Sequence, residues 1–134
     1  MYKRQVFHDK VLAACHVING FGKTTGLVQI DELGTLETPI LFTNTLSVGT
    51  VETALVKYML AQNPDICETT GSVNPVVCEC NDASLNDIRH RAVGQAEVFA
   101  AIADIIEQKI LPADWRCADA ESEENDAQPD GNPA

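Results

Sequence analysis

Side chains able to bind, donate or attack are concentrated between residues 15 and 87. They comprise adjacent Cys15 and His16, the acid pair Asp31-Glu32, Ser47 in a Ser-Val-Gly-Thr run, the Cys78-Glu79-Cys80 triplet and the Leu85-Asn86-Asp87 segment. A Cys-x-Cys spacing is not the usual zinc pair, so the cysteines read as buried free thiols and not as a metal site. Cys15 and His16 fall inside an apolar run. In a strand such neighbours point to opposite faces, which disfavours a thiolate–imidazole dyad. Ser47 precedes a helical pattern and reads as its cap, not as a nucleophile. Gly20, Gly22 and Gly26 lack the spacing of a dinucleotide or phosphate loop. By residue type alone, Asn86 suits a turn after a strand. Asp31 and Glu32 suit a solvated loop edge.

The elements that must position these groups are legible as periodicities. Residues 11–18 form a continuous apolar run, which predicts a strand buried on both faces. Asn19-Gly20-Phe21-Gly22 is a turn signal. Residues 26–30 alternate apolar and polar side chains, which predicts a second strand paired with the first. Residues 31–39 read as a loop, 40–43 as a short strand and 76–80 as a fourth strand. Val48, Val51, Leu55, Tyr58 and Met59 follow helical spacing, with Glu52 placed toward the positive end and Asn63-Pro64 as the stop. A second amphipathic helix is predicted over 95–109, with Gly94 and Glu97 at its start and Val98, Phe99, Ile102, Ile105 and Ile106 as its buried stripe.

The length of 134 residues suits one domain. Residues 1–7 read as a non-native or disordered start, 8–111 as a partial domain and 112–134 as an acidic, disordered tail. The net charge is −11, with more than half of it in that tail, and no basic stripe exists to neutralise phosphates. Nucleic acid is therefore not an expected partner. No apolar run is long enough to span a membrane, and five cysteines without a signal peptide point to reduced thiols in the cytoplasm. An incomplete start would leave the periplasm open.

In order and spacing, HVINGFGKTTG, DELGTLETPI, LFTNTLSVGTVETAL and ECNDASLNDI resemble the DmpA-type L-aminopeptidase/D-Ala-esterase/amidase family, which includes the β-peptidyl aminopeptidases. The resemblance covers roughly residues 8–104. It implies an α+β fold, an incomplete αββα sandwich, and a self-processing hydrolase whose nucleophile is an internal Ser freed as a new N-terminus. It assigns Asn86 as the donor that stabilises the oxyanion, a role an amide fills without titrating. It also implies an anionic group for the substrate's ammonium, with Asp31 and Glu32 as candidates by loop position. Where relatives place a Tyr hydroxyl in the oxyanion hole, Leu33 and Phe21 offer no donor. After Ser84 the sequence has only Ser122, flanked by Glu121 and Glu123 with no Gly before it, which does not fit the family's nucleophile. The expected function is a portion of a serine-type aminopeptidase or amidase acting on N-terminal amino-acid amides, esters or short peptides, without the nucleophile segment. The alternative is a non-catalytic remnant or assembly module of the same fold. No metal or cofactor is called for. The implied partners are a small peptide or amino-acid amide, the missing β-chain-like portion and further copies in a homo-oligomer.

Overall fold

The computed structural model describes residues 5–107. Elements follow in the order α1 (Gln5–His8), β1 (Val11–Leu12), β2 (Thr24–Thr25), α2 (Leu27–Leu33), β3 (Thr35–Leu36), β4 (Ile40–Thr43), α3 (Val48–Gln62), β5 (Val76–Glu79) and α4 (Gln95–Glu107), a mixed α/β arrangement. Three-residue 3-10 turns precede α3 (Thr45–Ser47) and lie between β5 and α4 (Ile88–His90).

The main sheet has the order β2-β5-β4. β5 pairs antiparallel with β2, Thr24 opposite Cys78, and parallel with β4, Ile40 opposite Val76 through Thr43 opposite Glu79. Val76 and Val77 are both buried, as a central strand requires. A separate antiparallel pair joins β1 to β3.

Helix α3 lies across the sheet and α4 packs on α3. Their apolar faces share one core with the sheet: Leu41, Val48, Val51, Ala54, Leu55, Met59, Ile66, Val77, Val98 and Ile102. Phe7 joins it, although residues 1–7 read from sequence as non-native or disordered. Tyr58 and Phe99 meet edge-to-face between the helices, with ring centroids 6.2 Å apart. Asn63 ends α3 by donating both its backbone N–H and its side-chain N–H to the Met59 carbonyl. At α4 the Glu97 carboxylate accepts from the Gly94 N–H at 2.9 Å, closing the first turn. Ile105 is exposed, so the apolar stripe of α4 is narrower than its spacing predicts.

Two strand expectations are corrected. Residues 26–30 belong to helix α2, bracketed by Gly26 and Gly34, both left-handed (φ 78° and 65°). Leu27, Ile30 and Leu33 recur every third residue, and the short polar alternation imitated a strand. Of residues 11–18 only Val11–Leu12 is strand. Val17 and Ile18 lie in irregular, exposed chain, with Ile18 90% exposed.

The second face of the main sheet is open on β4, where Ile40 and Phe42 are exposed while Leu41 between them is buried. No helix among the described residues is long and apolar enough to cross a membrane. The expected acidic tail, 112–134, lies outside the described residues.

Candidate active site

Parallel strands β4 and β5 end side by side. The Cys80 N–H donates to the Thr43 carbonyl at 2.7 Å, and the Glu79 N–H donates to the Lys23 carbonyl at 3.1 Å. From this end the chain leaves in two directions, through 44–47 into α3 and through 80–87 toward α4. In open sheets the carboxyl ends of parallel strands are where ligands bind, because the departing loops bring side chains together there.

Unsatisfied polar atoms gather at this end. Asn44 Oδ1, Thr45 Oγ1, Ser47 Oγ, Glu79 Oε2 and Asp82 Oδ1 are all shielded from solvent and have no hydrogen-bond partner among the described residues. A buried polar atom without a partner costs about 1–3 kcal/mol, so such a group of them marks a place where groups outside the described residues complete the bonds. Ser47 was expected to cap α3. Its side chain makes no cap hydrogen bond, because the 3-10 turn Thr45–Ser47 runs directly into the helix. Glu52 likewise falls beyond the first turn of α3.

Asn86 belongs to the same region. Its Nδ2 donates to Asp82 Oδ2 at 2.7 Å and its backbone N–H to the Asp82 carbonyl at 2.9 Å. The Leu85 N–H shares that carbonyl at 2.8 Å, so Asp82 anchors the whole turn. The Asn86 amide is exposed and keeps a second N–H beyond the one given to Asp82.

Asp31 and Glu32 lie elsewhere in the chain's architecture. Both are exposed on helix α2, where a loop was expected. Asp31 lines a cavity of about 280 Å³ with Cys15, His16, Val17, Leu27 and Val28. No described hydrogen bond or ion pair links either acid to Asn86, and neither Asn86 nor Glu32 lines that cavity. The cavity also corrects the reading of Cys15 and His16 as opposed strand neighbours, since both face it from irregular chain. The Cys15 thiol donates to the Leu27 carbonyl at 3.7 Å.

Sequence reasoning missed Glu79, which stood out only as the centre of a Cys-x-Cys triplet. One of its carboxylate oxygens is the orphan named above. The other lies where a side chain at Gly22 would sit in contact, 3.6 Å from an added Cβ. The cysteines at 15, 67, 78 and 80 are free; Cys67 is exposed, and so is Cys80, where a buried thiol was expected. Burial pushes the Cys78 thiol pKa up. No group of three or more His, Cys, Asp or Glu side chains among the described residues is placed to hold a metal ion.

The model of peptidase family S58 matches residues 1–115. The chain belongs to peptidase family S58. Curated relatives of this S58 chain include the β-peptidyl aminopeptidase BapA of Sphingosinicella xenopeptidilytica, 35% identical over 94 residues, which cover 70% of this chain and 23% of the relative. BapA of Sphingosinicella microcystinivorans is 37% identical over 92 residues, 69% of this chain and 22% of the relative. Among solved structures, the PH0078 protein from Pyrococcus horikoshii OT3 is 55% identical with a TM-score of 0.70, over 74% of this chain and 28% of that one. The L-aminopeptidase D-Ala-esterase/amidase from Ochrobactrum anthropi, described as a prototype serine aminopeptidase and a variant of the Ntn hydrolase fold, is 33% identical with a TM-score of 0.64, over 70% of this chain and 26% of that one. The resemblance read from the motifs is thus borne out. The chain spans about a quarter of the length of the curated relatives it matches.

Proposed function

We propose that this chain supplies part of the active site of a serine-type aminopeptidase or amidase acting on N-terminal amino-acid amides, esters or short peptides. The observation that carries the reading is the set of unpartnered buried oxygens where β4 and β5 end, beside the exposed Asn86 amide. In this reading Asn86 donates its open N–H to the oxyanion, and Asp82 holds the amide in place. The nucleophile comes from sequence outside these 134 residues, as does a second sheet that covers Ile40 and Phe42 and completes an αββα sandwich. The assembled protein is a cytoplasmic homo-oligomer.

Asp31 or Glu32 receives the substrate's ammonium in the reading taken from the motifs. A second assignment is favoured by one observation: Glu79 has a buried carboxylate oxygen without a partner, whereas Asp31 and Glu32 are exposed to water. A desolvated carboxylate attracts an ammonium far more strongly than a hydrated one.

A chimera separates these roles. Residues 8–104 replace the matching segment of the Sphingosinicella xenopeptidilytica enzyme, and hydrolysis of an amino-acid p-nitroanilide is followed. Asn86→Ala is expected to lower kcat about 100-fold or more, the effect of losing one oxyanion donor. An unchanged kcat removes Asn86 from the mechanism. The anchor of the ammonium is the residue whose neutral variant, Asp31→Asn, Glu32→Gln or Glu79→Gln, raises KM. A folded chimera with no turnover favours the non-catalytic module.

A further inference from the structure

A second cavity, of about 420 Å³, opens between α3 and the segment that leads into α4. Two cations face it from different elements: Lys57 on α3 and Arg91 in the segment preceding α4. Each is held by a neutral acceptor. Arg91 Nη2 donates to Thr50 Oγ1 at 3.0 Å, and Lys57 Nζ donates to Gln95 Oε1 at 2.8 Å. These bonds aim the two groups without neutralising them. The ion pairs of the described residues are His8–Asp65 and Lys10–Glu37, so neither Lys57 nor Arg91 is in one. In a chain of net charge −11, two cations converging on one cavity without a carboxylate is an unusual arrangement.

We propose that this cavity binds an oxyanion, a phosphate or a carboxylate, carried by a small molecule. Two like charges facing one space repel, and an anion between them replaces that repulsion with two attractions. The guanidinium of Arg91 keeps donors beyond the one given to Thr50, in the planar fork that matches paired oxygens. The Lys57 ammonium keeps two of its three N–H groups. The Thr50 hydroxyl accepts from Arg91 and has its own proton free to donate into the cavity. The backbone at Arg91 is left-handed (φ 51°, ψ 47°), with its N–H donated to the Ile88 carbonyl, which fixes where its side chain leaves the chain. None of its lining residues carries an unpartnered oxygen of the strand-end cluster, but the two places adjoin through the 3-10 turns Thr45–Ser47 and Ile88–His90, which pack together.

The test is a titration of the full 134-residue chain, labelled with nitrogen-15, followed by backbone amide shifts. Sodium phosphate is added in one arm and sodium acetate in the other, at constant ionic strength kept with sodium chloride. Saturable shifts at Thr50, Arg91 and Gln95 are expected. Tighter binding in the phosphate arm identifies a phosphate-bearing ligand, and tighter binding in the acetate arm a carboxylate. Lys57→Gln and Arg91→Gln should each weaken binding about tenfold, the effect of one lost charged hydrogen bond. Arg91→Lys should lose part of the affinity, since it keeps the charge and loses the fork. Shifts elsewhere in the spectrum report whether a variant has folded, and Lys57→Gln alone decides if the Arg91 variants do not fold. Absence of saturation in both arms, or undiminished affinity in the folded variants, overturns the site.

Discussion

Replacing Glu37 by Gln removes a negative charge from a buried three-way junction and leaves the side chain's shape almost unchanged. Glu37 follows β3 and is 2% exposed. One carboxylate oxygen accepts from the Asn74 backbone N–H at 2.6 Å and from Asn74 Nδ2 at 3.1 Å; the other pairs with the Lys10 ammonium. This single side chain therefore ties the segment before β4 to the segment before β5 and to the chain preceding β1. A Gln can still accept from Asn74, but its amide nitrogen then faces Lys10, donor against donor. Hydrogen bonds to a charged group contribute about 1.5–3 kcal/mol. Lys10 is 39% exposed, so water screens its share. We expect Glu37→Gln to destabilise the fold by about 2 kcal/mol at pH 7. Burial raises the Glu37 pKa, but the hydrogen bonds from Lys10 and Asn74, with the Lys10 charge, outweigh it and hold the carboxyl below its ordinary value. The unfolded chain then binds the proton first. The stability from the charged form is present above the unfolded pKa and is lost as pH falls through the folded one. The advantage of the native chain over Glu37→Gln must therefore shrink on acidification below about pH 4. Urea unfolding followed by circular dichroism at a series of pH values measures it. A gap that stays constant or widens as the pH falls would refute the argument.

Two further outcomes follow from local geometry. Gly26→Ala places a Cβ 2.3 Å from the Pro75 carbonyl oxygen, at φ 78°, and should cost about 2 kcal/mol or more in the same unfolding assay; a cost under ~0.5 kcal/mol would show that β2 and the Pro75 segment part easily. The Cys78 thiol, raised by burial, should react with iodoacetamide later than the exposed Cys67 and Cys80, as read by mass spectrometry of timed samples. Labelling of Cys78 ahead of both would contradict the described packing.

The sequence carried the long periodic elements well. Helix α3 is visible in Val48, Val51, Leu55 and Met59, and strands β4 and β5 in short apolar runs with breakers on either side. It carried the short elements poorly. The Leu-Val-Gln-Ile run of α2 fits both a two-residue and a three-residue period, and only the left-handed glycines at its ends resolve it. The apolar run at 11–18 suggested burial, yet Leu12, Val17 and Ile18 are exposed among the described residues. For the site, motif spacing reached Asn86. It did not reach Glu79, Thr45 or Asn44, because what marks them is a buried oxygen without a partner. That property depends on which segments meet, not on residue type. The acids Asp31 and Glu32 were chosen by proximity to a presumed strand end, and that segment is a helix.

The central position of β5 has a consequence for how the chain assembles during synthesis. Both strands that β5 joins are made well before it, β2 and β4 each emerging far upstream in the sequence. Until Val76–Glu79 leaves the ribosome, their backbone donors and acceptors have no other strand among the described residues to meet in this sheet. Helix α3, made in between, can form from local bonds but has only half a floor to pack on. The sheet therefore closes in one late event and not strand by strand, with a keystone that arrives after the stones it holds.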